Sequence, residues 1–374
     1  MILINALGIQ DSGGVHVLYK CLNELKSNAT REEYIVFCYN TKEILSLIEK
    51  FRGKNFVFKT TKRKSLFYRF TYEFIKFKKI SKQRKIKLIY NFNGSFNPLI
   101  SIPQVVKFHN LLFFSKRIDR TYLKSYNFFP WVKDILLHRL ILLFLYRRVK
   151  YFEVQSQHVV DSLSNYLKIK NRKFFIKSDI DITKNFLPPR KYNFKNKIKF
   201  LFVVGPHFRS PHKNLQVFFD SMLKLYGLGY KFEILITIEE ESFKYFKTYE
   251  KLYKKIKFLG YISDRKKLLD LYQDNTFLVS SSIIETVGFH VIDAIKMGLI
   301  TLVPNEQYAT DVYGEDVFTY QFSGKNSLEK VVANILTGNF NLEKKILGAQ
   351  KGLILRESRK IDNIKKVFTE VLNV

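Results

Sequence analysis

The sequence predicts an α/β protein made of two parallel-sheet domains. Short apolar runs typical of buried parallel strands alternate with amphipathic helical segments along the whole chain. With 374 residues, 46% of them hydrophobic, the chain is too long for one ordinary core and rich enough for two domains. The consecutive prolines Pro188 and Pro189 separate two α/β patterns. We therefore predict an N-terminal domain over 1–185 and a C-terminal domain over 186–374.

The N-terminal domain opens with a predicted strand over 1–7, a tight loop over 8–14 and a helix over 15–25. Gly13 and Gly14 allow the loop backbone to approach a ligand closely. The loop lacks the Gly-x-Gly-x-x-Gly spacing, which disfavours a dehydrogenase-type dinucleotide fold. A later strand, over 104–109, ends in His109, which is either a site residue or a satisfied buried histidine. Another strand, over 151–156, precedes a helix over 159–167.

The C-terminal domain opens with a predicted strand over 200–205, a basic loop and an amphipathic helix from residue 215. A strand, a loop with cations and a helix start suit a nucleotide diphosphate. Lys213 adds a point charge to the free amides of the helix start, and Arg209 can donate to two phosphate oxygens at once. The alternative is an ordinary solvated basic loop.

Two acidic residues, Glu285 and Asp293, follow a predicted buried strand at 277–279. Glu285 is predicted in the loop at the carboxyl end of that strand. Asp293 is predicted about two turns into a helix that begins near Gly288 and ends at Gly298. Two carboxylates beside a helix N-terminus at this edge of a parallel sheet suit a hydroxyl-rich ligand. The alternative is that both acids are ordinary solvated residues.

The residues around these two acids resemble the signature of retaining family 4 glycosyltransferases of the GT-B fold. The resemblance is carried by Ser282, Glu285, Gly288, Asp293, Ala294 and Gly298. The chain departs from the family pattern at Ser281, in the loop over 286–290 and at Asp293, which replaces a second Glu. The run over 212–214 resembles the donor phosphate loop of that family, although Pro206 stands where an Arg is usual.

The resemblance implies two Rossmann-like domains with a central cleft and a helical segment over 357–374 that crosses back to the N-terminal domain. It implies a nucleotide-diphosphate sugar as the donor substrate, with no cofactor and no metal. The family roles suggest that Glu285 contacts the transferred hexose, Asp293 the ribose, and Lys213 and Arg209 the diphosphate, with His109 facing the donor from the N-terminal domain. The remaining implied donor-binding residues are Gly13, Gly14, Gly205, Thr286, Val287, Gly288, Phe289 and His290.

Positive charge is concentrated in the N-terminal half. The chain carries a net charge of +31; residues 1–185 hold 35 Lys and Arg against 13 Asp and Glu, a net of +22, and the remainder holds +9. The segment over 62–79 interleaves cations with aromatic residues, and the segment over 131–148 is strongly apolar but interrupted by charges. Such an interrupted segment is not expected to span a bilayer, but it suits the surface of an anionic membrane.

These features predict a cytoplasmic enzyme that is peripheral at the inner face of the cell membrane. The predicted acceptor is a polyprenyl-diphosphate-linked saccharide of O-antigen or capsule-type polysaccharide synthesis, and the alternatives are a soluble sugar or a lipopolysaccharide core. Two alternatives stay open: an inactive GT-B scaffold, and a basic protein that binds nucleic acid or a membrane. We expect no nucleic-acid partner, because no compact nucleic-acid-binding motif is present in the sequence.

The remaining sequence features concern the cellular compartment. Cys21 and Cys38, the two cysteines, fall in helix and strand patterns, which predicts buried thiols in a reducing compartment. The histidines are scattered and no Asp-x-Asp occurs, so no metal site is predicted. The first apolar run is short and has no basic leader, so we expect no signal peptide.

Overall fold

The computed structural model describes residues 1–9, 12–26, 32–62, 66–125, 128–168, 171–183, 186–205, 208–262, 264–338 and 340–373. Three parts of the sequence predictions lie outside the described residues. They are residues 10 and 11 of the first loop, residues 63–65 of the basic segment, and Pro206.

The strands of the described part are short and mostly buried. In chain order they are β1 (Ile2–Asn5), β2 (Tyr34–Tyr39), β3 (Phe56–Thr61), β4 (Leu88–Asn91), β5 (Gln104–Lys107), β6 (Tyr151–Val154), β7 (Lys173–Ile176), β8 (Ile198–Phe202), β9 (Phe232–Ile236), β10 (Ile256–Phe258), β11 (Thr276–Val279), β12 (Ile300–Pro304) and β13 (Phe318–Tyr320).

Most strands of the described part are followed by one or more α-helices. They are α1 (Ser12–Leu25), α2 (Lys42–Phe51), α3 (Leu66–Thr71), α4 (Phe77–Gln83), α5 (Lys116–Ser125), α6 (Phe128–Trp131), α7 (Leu137–Tyr146), α8 (Gln157–Leu167), α9 (Leu215–Gly227), α10 (Arg265–Leu269), α11 (Phe289–Lys296), α12 (Gln307–Tyr313), α13 (Leu328–Leu336), α14 (Leu342–Ser358) and α15 (Ile364–Leu372). Single π-helical turns, Tyr72–Lys76 and Val132–Leu136, precede α4 and α7, and 3₁₀ segments span Leu111–Phe114, Pro211–Lys213 and Glu240–Lys255.

Two parallel sheets form the centre of the structure. One has seven strands in the order β3-β2-β1-β4-β5-β6-β7, and the other has six in the order β10-β9-β8-β11-β12-β13. The predicted fold class of two Rossmann-like parallel-sheet domains is confirmed. In such sheets ligands bind at the carboxyl ends of the strands where the strand order reverses. These places are β1 with β4 in the first sheet and β8 with β11 in the second.

The chain groups into two compact units. The first unit contains Met1–Phe114, Val132–Asp181 and Ser358–Val374, and the second contains Ser115–Trp131 and Ile182–Glu357. The segment Ser115–Trp131, which the sequence assigns to the N-terminal domain, thus groups with the second unit. Its helix α5 packs there against the 3₁₀ turn at 211–213, and Arg117 pairs with Glu306 at 2.6 Å.

The C-terminal segment belongs to the first unit, as the predicted crossing implies, but it is not one helix over 357–374. Helix α14 ends at Ser358, and α15 begins at Ile364. Between them Ile361 extends the edge of the first sheet, because its N–H donates to the Ile176 carbonyl and its carbonyl accepts from Ser178 N–H, both at 2.9 Å. Asn363 then caps α15 by accepting from Lys365 N–H.

A buried charge cluster lies at the carboxyl ends of β5, β6 and β7. The ammonium of Lys107, 2% exposed, contacts Glu153 at 2.6 Å and Asp179 at 2.7 Å. Around these three residues, Tyr90 donates to Glu153, Gln155 donates to Asp179, and Lys177 pairs with Glu24. Burial opposes ionisation of Asp179, but Lys107 and Lys177 outweigh burial and hold its pKa below the usual range. The cluster therefore keeps its charges by mutual pairing.

The two cysteines are buried and unpaired, as the sequence predicts. Burial raises the pKa of the Cys38 thiol to about 12, and it also raises the pKa of Cys21. Both thiols are therefore protonated at neutral pH and pack as small apolar side chains.

We predict that Lys107→Met destabilises the protein strongly. Removal of one partner leaves Glu153 and Asp179 buried without their shared cation, which typically costs about 3–5 kcal/mol. Chemical denaturation followed by far-UV circular dichroism measures the loss. Lys150→Met, which changes an exposed lysine of the same unit, is the matched control and is expected to shift stability by less than about 0.5 kcal/mol. Equal stability of the two variants contradicts the prediction.

Candidate functional site

The predicted cation and carboxylate of the C-terminal domain meet at the switch point of the second sheet. Lys213 ends the 3₁₀ turn that follows β8, and Glu285 lies in the loop that follows β11. Strands β8 and β11 are parallel neighbours, so their carboxyl ends lie at the same edge of the sheet. The family resemblance implied both residues for donor binding, and their direct contact is a finding of the structure.

Lys213 and Glu285 form a direct ion pair. The Lys213 ammonium lies 2.6 Å from a carboxylate oxygen of Glu285, and the two side chains are 23% and 15% exposed. Burial on its own raises the pKa of Glu285. The charge of Lys213, helped by the nearby His290, outweighs burial and lowers that pKa to about 2. Glu285 is therefore ionised at neutral pH and ready to accept hydrogen bonds.

Two further hydrogen bonds join the loops that carry this ion pair. The N–H of Ile283 donates to the His212 carbonyl at 2.7 Å, and the Ser281 hydroxyl donates to the Lys213 carbonyl at 2.6 Å. Because both acceptors are backbone carbonyls of the 3₁₀ turn, these bonds fix the turn against the Glu285 loop. These hydrogen bonds therefore hold the backbone on both sides of the ion pair in place, as a preorganised binding site requires.

Three buried tyrosine hydroxyls donate to backbone carbonyls of the Glu285 loop and of the first turn of α11. Tyr320 donates to the Ser280 carbonyl at 2.7 Å, Tyr308 to the Ser282 carbonyl at 2.6 Å, and Tyr272 to the His290 carbonyl at 3.2 Å. The sequence analysis did not find these residues. Their partners are 18 to 40 residues away in sequence, so only the folded chain identifies them.

Gly288 allows the loop to turn into helix α11. Its φ of +61° is left-handed, and a Cβ at this position would lie 2.2 Å from the Tyr313 hydroxyl oxygen. Any residue with a side chain would therefore be strained by this backbone conformation, and its Cβ would clash with Tyr313. The preceding Val287 is buried, so it offers its backbone and not its side chain to a ligand. The first-turn N–H groups of α11 begin here, next to Glu285.

His290 lies in the first turn of α11. Burial lowers its pKa to about 4, although the neighbouring Glu285 carboxylate acts in the opposite direction. The imidazole is therefore neutral at physiological pH. In that state one ring nitrogen donates and the other accepts, which suits contact with sugar hydroxyls.

Asp293 is buried on α11 and pairs with Arg265, the first residue of α10. Burial raises the pKa of Asp293, while Arg265 opposes the rise. Asp293 is only the fifth residue of α11. It therefore lies little more than one turn from the helix start, and the predicted two turns were too many, because Gly288 serves as the left-handed cap outside the helix. Arg265 was missed, although a cation directly after the capping Asp264 is visible in the sequence.

Arg209 and Gly205 are the other predicted site residues of the phosphate loop that the structure describes. The Arg209 guanidinium covers the ring of Tyr245 at 4.1 Å from the ring centroid. Gly205 is exposed, and no atom would meet a Cβ placed there. Arg209 therefore packs against the 3₁₀ segment Glu240–Lys255, which contains Tyr245.

The predicted residues of the N-terminal domain belong to the first unit. His109 is exposed in the loop after β5, so it is not a buried histidine. Gly13 and Gly14 lie in the first turn of α1, which begins at Ser12, and not in the loop predicted before it. The left-handed turn is made earlier, at Gly8, whose φ is +99°.

Among the described residues, no group of three or more His, Cys, Asp or Glu side chains is arranged to hold a metal ion. The polar groups that converge on the site are cations, carboxylates and backbone amides.

Comparison with known proteins gives a clear answer on the fold. No protein-family model matches the chain, and no curated protein matches it in sequence. Among solved structures, HepE of Anabaena in complex with UDP and glucose matches with a TM-score of 0.63 at 14% identity, over 100% of this chain and 99% of that chain. The chain has the GT-B fold.

Two further structures agree with this assignment of the fold. A glycosyltransferase of Rickettsia africae matches with a TM-score of 0.66 at 15% identity, over 99% of this chain and 98% of that one. WaaG, a glycosyltransferase involved in lipopolysaccharide biosynthesis, matches with a TM-score of 0.66 at 12% identity, over 99% of both chains. Similarity at these identities shows the fold, so function is argued from the site.

We predict that His290 makes stability fall as the pH drops from 6.5 towards 4. Its folded pKa of about 4 lies below the ordinary value of 6.5, so the unfolded chain binds more protons in this window. His290→Gln removes this contribution and should flatten the decline by about 2 kcal/mol relative to wild type. Urea titrations at pH 7 and pH 4.5 measure it. Parallel declines in the two proteins would show that the imidazole is not buried in its neutral form.

Proposed function

We propose that this protein is a retaining glycosyltransferase that transfers a hexose from a nucleotide-diphosphate sugar. The observation that carries the proposal is the Lys213–Glu285 ion pair beside the start of α11, at the switch point of the second sheet of a GT-B fold. The complexes of HepE with UDP support a nucleotide sugar as the donor.

The leaving diphosphate is proposed to bind Lys213, with Arg209 as a second cation. An ammonium has three N–H donors, so Lys213 can hold Glu285 and a phosphate oxygen together. Neutralising the diphosphate as the glycosidic bond breaks is the main electrostatic task in this reaction class. The first-turn amides of α11 add a positive dipole end for the same purpose.

The sugar and the ribose are proposed to bind the two carboxylates. Glu285 is ionised and accepts from hydroxyls of the hexose, and the backbone of residues 286–290 donates to them. Asp293 accepts from the ribose hydroxyls, and its partner Arg265 can donate to the same diol. His109, Gly13 and Gly14 stay predicted contributions of the first unit.

The proposed reaction exchanges two bonds on one face of the sugar. The bond from the anomeric carbon to the diphosphate oxygen breaks, and the acceptor oxygen forms its bond to the same face of that carbon. The acceptor hydroxyl proton moves to the leaving phosphate, so no side chain is assigned as a general base. In this scheme Lys213 and Arg209 neutralise the leaving group, and no metal or cofactor is required.

The acceptor is proposed to be a polyprenyl-diphosphate-linked saccharide of O-antigen or capsule-type synthesis, met at the inner face of the cell membrane. No helix in the described part of the chain is long and apolar enough to span a bilayer. The proposal therefore rests on a surface of the first unit that suits peripheral binding.

That surface is the outward face of α7. Leu137, Leu140, Ile141 and Phe144 follow helical spacing and are 50%, 54%, 57% and 67% exposed. Arg147 and Arg148 are exposed just beyond the helix end. A helix on a water-facing surface normally exposes polar residues, so an outward apolar stripe next to two cations fits the interface of an anionic membrane.

We predict that Lys213→Ala lowers turnover by about 10²–10³, because one charge-stabilising donor is lost from the transition state. Nucleotide release from UDP-, GDP- and dTDP-sugars, measured with a lipid-linked saccharide acceptor, tests this. Lys330→Ala, an exposed lysine of the same unit, is the matched control. Thermal melting confirms that the variants fold. Unchanged turnover in Lys213→Ala removes the assignment, and no release by wild type with any donor favours an inactive scaffold.

We predict that the protein sediments with anionic vesicles at low salt. The double change Ile141→Ser and Phe144→Ser should lower its affinity for these vesicles at least about tenfold. Each change removes apolar contact worth about 1.5–3 kcal/mol when fully buried. Leu228→Ser is the control, because Leu228 is 67% exposed in the second unit, as Phe144 is in the first. If wild type stays in the supernatant at low salt, the membrane proposal is wrong.

A further inference from the structure

Tyr313 carries a buried hydroxyl with no hydrogen-bond partner. It is the last residue of α12, its side chain is fully buried, and its hydroxyl oxygen has no partner in the described structure. Leaving a buried hydroxyl unpaired is unfavourable, so a native protein keeps one when another state uses it. The surroundings of Tyr313 show which state that is.

The Tyr313 hydroxyl lies against the candidate site. A Cβ on Gly288 would be 2.2 Å from this oxygen and 3.7 Å from Cγ of Glu285, so both groups flank the same glycine. Three other tyrosines around the loop, at positions 272, 308 and 320, each donate to a backbone carbonyl. Tyr313 faces a carboxylate that is already paired.

A diphosphate changes the surroundings of Glu285. In the described state the ammonium of Lys213 is its partner at 2.6 Å. A bound diphosphate competes for that ammonium and brings negative charge close to the carboxylate. The side chains that face Glu285 are Lys213 from the 3₁₀ turn, Ser282 from its own loop, His290 from α11, and Tyr308 and Tyr313 from α12. Of these, Tyr308 is committed to the Ser282 carbonyl.

We propose that Tyr313 is a positioning residue that donates its hydroxyl hydrogen bond to Glu285 when a nucleotide diphosphate engages Lys213. The inference rests on the proposed function, because it requires Lys213 to bind the diphosphate. A phenol donor keeps the carboxylate ionised and oriented towards the sugar while the cation is shared. Tyr313 reaches the ligand only through Glu285, so it is not itself a catalytic residue.

Titration calorimetry with UDP, and in parallel with GDP, tests the inference on wild type and Tyr313→Phe. The variant keeps the ring and loses the hydroxyl. We expect its UDP affinity to fall about tenfold, the size of one hydrogen bond to a charged group. The number of protons taken up on UDP binding is measured at pH 6 in buffers of different ionisation heat. This number should be larger for the variant than for wild type, because without the Tyr313 donor the pKa of Glu285 in the complex is higher.

The unliganded protein gives a second, independent readout. Since the hydroxyl is unpaired there, Tyr313→Phe should melt at the wild-type temperature or above it. Tyr320→Phe is the matched control: it deletes a satisfied hydroxyl below the same loop, so its melting temperature should fall and its UDP binding should show no extra proton uptake.

If Tyr313→Phe keeps the UDP affinity and the proton uptake of wild type, this inference is wrong while the proposed function stands. The same holds if its melting temperature falls as far as that of Tyr320→Phe. Failure of wild type to bind UDP, GDP and also dTDP, titrated in the same way, overturns the proposed function and this inference with it. The two failures are therefore told apart by the wild-type titration.

Discussion

The candidate site depends on the ion pair between Lys213 and Glu285. It is one of two such pairs, since Asp293 is matched by Arg265 in the same unit. Both carboxylates that suit a hydroxyl-rich ligand therefore have their charge balanced in the absence of ligand. A bare carboxylate in a partly buried loop would be costly and would tend to take up a proton. Pairing keeps Glu285 ionised and opposes the rise that burial causes in the pKa of Asp293, so a ligand exchanges one polar partner for another.

The first unit uses buried charge for a different purpose. Lys107, Glu153 and Asp179 join the ends of three neighbouring strands, and Lys177 extends the cluster to Glu24 of α1. The carboxylate of Glu24 also accepts from the N–H of Ile364, the first residue of α15. The C-terminal segment is thus tied to the same charge cluster that organises the strand ends. A buried cluster of this kind is weak evidence for stability in itself, but it fixes geometry, because any displaced member leaves an unpaired charge.

Sequence reasoning identified what local pattern determines. The strands and the helix starts after β8 and β11 follow from apolar runs and loop residues, and the family resemblance assigned Lys213 and Glu285 to one donor. Their direct contact was not predicted, because the pairing of β8 with β11 is not visible in the sequence. Partners that are distant in sequence were not accessible in this way. Nothing local indicates that Tyr320 reaches Ser280, or that Arg265 pairs with Asp293. The break between α14 and α15 was missed for the same reason, since the helical periodicity continues through Ile361, which bonds to the edge of the first sheet.

Helix α7 shows why composition alone did not define the surface proposed to meet a membrane. Its segment is too charged to span a bilayer, yet one of its cations, Arg139, is buried and covers the ring of Tyr166. Four apolar residues of the same helix are exposed, namely Leu137, Leu140, Ile141 and Phe144. This arrangement partly inverts the usual one, in which a surface helix buries its apolar face and exposes its charges. The inversion leaves an apolar stripe with cations at its end, and such a surface is stable against a lipid headgroup layer, where both kinds of side chain find partners. In the proposed membrane contact, the excess charge of the N-terminal half and this apolar stripe are both needed, because neither feature alone specifies a membrane.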